Sequence, residues 1–164
     1  MTGAHAAMPA RRYDPTESGD NAMDRDLIRA RVAHHESGHA IIAKAVGLRV
    51  TRVRIRRSDG FVSLGEADTD NYDADQADAE LRFFYAGMFA DARFLIEQGY
   101  SRSRSLSLAR TVARRHDLKQ IRSITAWMKK HHNKRLNTRR AERDAERLVN
   151  RHWNDITRMA ASHC

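Results

Sequence analysis

His35 and His39 stand four residues apart with Glu36 between them, in the run Val32-Ala33-His34-His35-Glu36-Ser37-Gly38-His39. On a helix, residues four apart lie on one face about one turn apart, so both imidazoles can aim a ring nitrogen at a single ion. Neutral imidazole is a good zinc ligand, at roughly 2.0 to 2.1 Å. Glu36 follows the first ligand, and its carboxylate can reach a water held by the metal without displacing it, which is the placement of a general base. The pattern His-Glu-x-x-His therefore predicts Zn2+ as cofactor, His35 and His39 as its ligands and Glu36 as the catalytic base.

The same five letters also arise by chance, and two histidines satisfied inside an ordinary core would spell them equally well. The surroundings separate the two readings. Ile28, Val32, His35, His39, Ile42 and Val46 recur at steps of three and four, which predicts an amphipathic helix from about Asp24 to its stop at Gly47. Both histidines fall on the apolar stripe, and Gly38 leaves space beside them for a neighbouring backbone. Burying two imidazoles without partners costs about 1 to 3 kcal/mol each, so something must satisfy them.

Other elements must position this helix. Leu48 to Arg57 alternates Val50, Val53 and Ile55 with polar residues and reads as a strand. Ser58-Asp59-Gly60 supplies turn chemistry, and Phe61 to Gly65 reads as the returning strand of a hairpin. After an acidic loop, Asp73 or Asp75 can cap a second helix with a buried stripe of Ala77, Leu81, Phe84, Met88, Ala92 and Leu95, ending at Gly99. Ser101 to His116 is helical with Leu106, Ala109, Val112 and Ala113 inside, and Leu118 to Lys130 continues or restarts it. Asn137 or Thr138 opens a last long helix through Ala145, Leu148, Val149, Ile156 and Met159. The expected fold class is α+β, mainly α: a helical bundle with a small β-hairpin inserted after the helix that carries the histidines. Residues 1–22, polar and aperiodic with Pro9, Pro15 and Gly19, read as a disordered tail, which leaves 23–164 as one domain.

Composition narrows the class further. A single cysteine, Cys164, excludes a disulfide framework and argues against thiolate chemistry. No apolar run approaches the roughly 18 to 20 residues of a membrane helix and the start lacks the apolar core of a signal peptide, so the expected setting is cytoplasmic. Residues 101–164 hold 17 Lys/Arg against 5 Asp/Glu, a net of +12, whereas Glu66 to Glu80 carries seven acids and no base. Such a basic half could attract polyanions or serve only as a solvated surface. Ser101 to Ser105 could touch phosphates or be phosphorylated and equally suits a loop and helix cap, while the His131-His132-Asn133-Lys134 turn reads as a polar connection, and Trp127 and Trp153 with Met128 and Met159 as core packing.

His34-His35-Glu36-Ser37-Gly38-His39-Ala40 resembles the zinc peptidase domain of the FtsH-type ATP-dependent proteases, whose motif runs His-Glu-Ala-Gly-His-Ala. The resemblance continues in order through Val50 to Ile55 with Gly60 and Gly65, similar to that family's short strand pair. It then takes in Tyr85-Ala86-Gly87-Met88-Phe89-Ala90-Asp91, similar to its Gly-Gly-Arg-Ala-Ala-Glu segment, and Ala109 to Arg114, similar to its Ala-Thr-x-x-Ala-Arg helix. It covers about Ala30 to Arg115, and only the first motif is specific on its own. What it implies is peptide-bond hydrolysis by metal-activated water with Glu36 as base. The family's third zinc ligand is an aspartate four residues before the alanine matching Ala109; here that position is Ser105, whose hydroxyl is a poor zinc ligand. The preferred substitute is Asp91, at the position of the second motif's glutamate; pairing of Asp91 with Arg93 or Arg110, a ligand role for Asp117, or no third ligand are the alternatives.

The sequence contains no Gly-x-x-x-x-Gly-Lys-Ser/Thr phosphate loop, so no ATPase module of that type accompanies the motif. The expectation is a stand-alone zinc metalloendopeptidase domain acting on peptides or unfolded protein, with any ATPase supplied as a separate partner. The alternative from a different class is a non-catalytic basic helical protein that binds nucleic acid or a protein partner.

Overall fold

The computed structural model of the chain describes residues 25–65 and 72–163. The expected tail at 1–22, most of the acidic loop and Cys164 lie outside the described residues. Six helices and one two-stranded sheet follow in the order α1 (Arg25–Ala45), β1 (Val50–Ile55), β2 (Gly60–Leu64), α2 (Ala74–Glu97), α3 (Arg102–Ala113), α4 (Asp117–His132), α5 (Thr138–Arg151) and α6 (Trp153–Ala161). The architecture is the mainly helical α+β arrangement expected, with the hairpin between the first two helices. No helix among the described residues is long and apolar enough to cross a membrane.

α2 is the central element, packed against α1, α3, α4 and α5. It starts where Asp73 accepts hydrogen bonds from the amides of Asp75 and Gln76 at 2.9 and 2.8 Å, leaving fewer orphan donors at its first turn. From Tyr85 to Ala92 every residue is buried, so this stretch has no solvent face. Its small residues let α1 approach closely. A Cβ on Gly38 would stand 2.6 Å from Ala90 Cβ and 3.0 Å from the Ala86 carbonyl oxygen, so the neighbouring backbone expected beside Gly38 is that of α2. Gly47, at φ +81°, turns the chain out of α1 into the hairpin, whose antiparallel register pairs Val53 with Val62 and Ile55 with Gly60. β1 and β2 both pack on α1.

Three expectations change. Ser101 caps α3, which ends at Ala113 instead of His116, and of the two readings left open for the next segment the chain takes the restart, at Asp117. The single last helix is two, because α5 and α6 break at His152; Arg93 donates to the carbonyl oxygen of Asn150 at 3.2 Å and to its Oδ1 at 2.7 Å, drawing off a carbonyl in the last turn of α5. The arginine then lies 4.6 Å from the centre of the Trp153 ring. Finally, Val112 is 47 % exposed instead of inside, and Ile28, Val32 and Phe84 are half-buried, because all four line an open cleft beside α1.

Candidate metal centre

That cleft, of about 770 Å³, runs between the front of α1, the β1–β2 turn and the corner joining α3 to α4. His35, Glu36 and His39 all face it and are all buried, as the stripe on α1 requires. A carboxylate reaches them from α4: Asp117 Oδ2 lies 3.2 Å from His35 Nε2 and 3.5 Å from His39 Nε2, and the two Nε2 atoms are 3.1 Å apart. Three potential lone-pair donors thus converge from two helices on one point, and the buried group His35–His39–Asp117 could hold a metal ion.

The donors are set by backbone features. His39 Nδ1–H donates to the carbonyl oxygen of Phe83 at 2.7 Å; a carbonyl can only accept, so the proton sits on Nδ1 and the neutral ring presents its Nε2 lone pair to the site. Gly87, one turn along α2 from Phe83, makes room for this: a Cβ there would run into the His39 ring and stand 2.8 Å from His35 Nε2. His35 Nδ1 is buried with no hydrogen-bond partner among the described residues. Holding a metal through its Nε2 would leave that ring without the outer support His39 has.

The electrostatics of the group also favour a proton at this point. Burial disfavours charge on His39, but the Asp117 carboxylate and Glu36 outweigh it and raise the pKa to about 9. Burial likewise opposes charge on Asp117, and the His39 charge with hydrogen bonds from both histidines outweighs it, holding the carboxyl well below the usual range. Proton and cation compete for the same lone pairs, so metal loading must release a proton. Glu36 differs: burial is its dominant influence and pushes its pKa up, partly offset by His39 and His35. Among the described residues no hydrogen bond or ion pair occupies its carboxylate, and its aliphatic part lies against the start of β2, where a Cβ on Gly60 would stand 2.5 Å from Glu36 Cγ. A buried carboxylate of raised basicity in the same cleft as a potential cation site is suited to taking up a proton.

The structure does not bring Asp91 to this group. Asp91, the ligand preferred from sequence, is 1 % exposed and bound side-on by Arg31, with Nε donating to Oδ1 at 2.8 Å and Nη2 to Oδ2 at 2.7 Å. Both oxygens already accept a charge-assisted bond, and a metal would have to displace a buried guanidinium to use them. Its partner is neither Arg93 nor Arg110; those pair with Glu97 and Glu142. Ser105 is fully buried with its hydroxyl unpartnered. His34, adjacent to His35, turns the other way, stacked at 4.2 Å on Phe94 and donating from Nδ1 to the Ala30 carbonyl oxygen. Sequence reasoning did not find Arg31 or the Phe83 carbonyl, and of these only Arg31 left a signal, four residues before His35 on the same face; Gly87 was legible as a point of close helix approach, though not as the space for the His39 ring. No family model, curated protein or solved structure matches the chain.

Proposed function

We propose that the protein is a zinc-dependent metallopeptidase, a diverged domain of the FtsH-type resemblance, with His35, His39 and Asp117 as the zinc ligands and Glu36 as the general base. The observation that carries this reading is the mutual spacing of the three donors. Ligands at 2.0 to 2.1 Å in a tetrahedron are about 3.3 to 3.4 Å from each other, and the three separations here are 3.1, 3.2 and 3.5 Å. Two imidazoles and one carboxylate beside an open cleft match the donor set of catalytic rather than structural zinc. On this reading Asp117 fills the role that the resemblance places at position 105.

Bound there, zinc would polarise a scissile carbonyl and acidify water. The chain's own residues do the rest. Glu36 accepts the proton of the attacking water and delivers it to the departing amine, so that water is divided between the new carboxylate and the new amino group. Phe83 fixes the His39 tautomer through its carbonyl. Ile28, Val32 and Phe84 give the cleft apolar walls for the side chains of an extended or unfolded segment.

The test is a zinc assay paired with hydrolysis of a fluorogenic unfolded substrate. One zinc per chain is expected, lost in His35→Ala and Asp117→Ala, with Glu36→Gln keeping the metal and losing about 10²- to 10⁴-fold in rate. A chain that takes up no zinc, or a Glu36→Gln variant as fast as the parent, overturns the proposal.

A further inference from the structure

The positive charge of this chain is unevenly neutralised. On α3 and α5, Arg102 pairs with Glu146 at 2.7 Å, Arg110 with Glu142 at 2.9 Å, and Arg140 and Arg147 with Asp144. α4 has no such compensation: from Leu118 to Ala141 the sequence carries eight Lys/Arg and no Asp/Glu. Lys119, Arg122, Lys129 and Lys130 recur, with Ala126, at steps of three and four. All are exposed, on the side of α4 opposite its buried Asp117, Ile121 and Met128, so this face points away from the metal centre. Lys134 and Arg135, also exposed, continue the charge past the end of the helix. None of these six has an acidic partner among the described residues; Lys129 donates to Asn133 Oδ1. The helix dipole accounts for Lys129 and Lys130, which stand in the last turn where cations are favourable. It does not account for Lys119, in the first turn where a cation is disfavoured, nor for Arg122, which adds like-charge repulsion three residues on.

We propose that this outer face of α4 binds single-stranded nucleic acid, with phosphates held along the stripe and an unpaired base stacked on His131. The chemistry of the face selects among polyanions. Along the stripe Ala126 is the one apolar residue, so the face lacks the desolvated apolar centre of a protein interface, in which Lys is depleted. It equally lacks the large apolar side chains that anchor a helix in a lipid surface. Phosphate contacts need neither. From Lys119 to Lys130 the stripe runs about 16 Å, the reach of a stretch of backbone rather than of one ion. One flank carries rings: Trp127 lies about 60° round the helix from Lys130, and the exposed His131 stacks on it at 5.0 Å and 28°. Tyr72 meets the same indole edge-on at 5.2 Å, so Trp127 is braced and His131 is the outer ring of the stack. No second ring among the described residues covers His131. Cations that track a backbone, flanked by a ring on which a base can stack, bind unpaired strands with little regard to sequence. Because the face is turned away from Asp117, the proposal stands apart from the peptidase reading.

The experiment uses the full chain and a labelled single strand of about 20 nucleotides and mixed sequence, read by fluorescence anisotropy over a salt series. Binding is expected at low salt, with log Kd rising against log salt at a slope of about 2 to 3, the value for three or four phosphate contacts on a single strand. Lys119→Glu/Arg122→Glu is expected to weaken binding at least about tenfold and to lower the slope by about 1.4. An acid in the first turn favours α4, so this variant keeps its helix. His131→Ala is expected to lose about fivefold in affinity with the slope unchanged, the signature of a stacking contact. Arg158→Glu, the same kind of reversal on α6 where the arginine already pairs with Asp155, is expected to change affinity less than about twofold. The proposal is overturned by absence of binding at low salt, by an affinity and slope that survive the double variant, or by a duplex of the same sequence binding more tightly than the strand. Displacement by polyglutamate as effectively as by unlabelled strand also overturns it, in favour of an acidic protein partner.

Discussion

Asp91 and Asp117 are both buried, at 1 % and 6 % exposure, and both line the cleft beside α1. Their neighbours make them different groups. Asp91 meets a permanent cation of matching shape, and its two oxygens are closed by the two donors of Arg31. Asp117 meets two imidazoles, which carry charge or lone pairs according to what they bind, and so its carboxylate can be shared with a metal. One face of α1 thus holds a structural clamp at Arg31 and a chemical centre one and two turns further on. The lesson is that burial alone does not leave a carboxylate available to an ion; the nature of its partner decides that.

Four variants would break or sharpen this contrast. The largest effect is expected at the clamp: Asp91→Ala strips a buried guanidinium of its bidentate partner and should cost about 3 to 5 kcal/mol in denaturant melts, with zinc uptake retained while the chain is folded. Loss of zinc at temperatures where circular dichroism still reports native helix would return Asp91 to the ligand set. Asp117→Asn should do the opposite, lowering zinc affinity by more than about 100-fold, beyond the range of outer-sphere changes, in competition with a chromophoric chelator. Gly87→Ala pushes a methyl group into both ring nitrogens and is expected to cost about 1 to 3 kcal/mol and weaken zinc binding with it. Ser105→Ala is the smallest: removing an unpartnered buried hydroxyl should change stability by less than about 1 kcal/mol, in the stabilising direction, and leave metal content untouched. A drop in zinc for this last variant would restore the ligand position implied by the resemblance.

The first three site residues were legible because a helix turns pattern directly into geometry: His35, Glu36 and His39 are neighbours whatever the rest of the chain does. Asp117 was readable only as an alternative. Along one continuous helix Asp117 would lie about three turns beyond Ser105, but the chain leaves α3 at Ala113 and re-enters at Asp117, which swings the carboxylate to the histidines. Asp91 lies on the inner side of α2, but its partner belongs to α1, 60 residues away, and helical spacing within α2 carries no information about that. The same holds for the break at His152: no glycine or proline marks it, and it coincides with a guanidinium from α2 capturing an α5 carbonyl. The fold class and element order were local matters of periodicity and caps, and these the structure retains.

The contact between Gly60 and Glu36 separates two tasks within the centre. The proposed ion-binding side chains ride on α1 and α4, inside the helical body, whereas the proposed base is braced by a two-stranded ribbon, an element that is marginal unless docked on something larger. Loosening the ribbon, for instance by prising its first residue off the glutamate, would blunt turnover while the cation stayed in place. On the proposed reading, a change confined to the ribbon would therefore part hydrolysis from ion holding without touching any of the three ion-binding side chains.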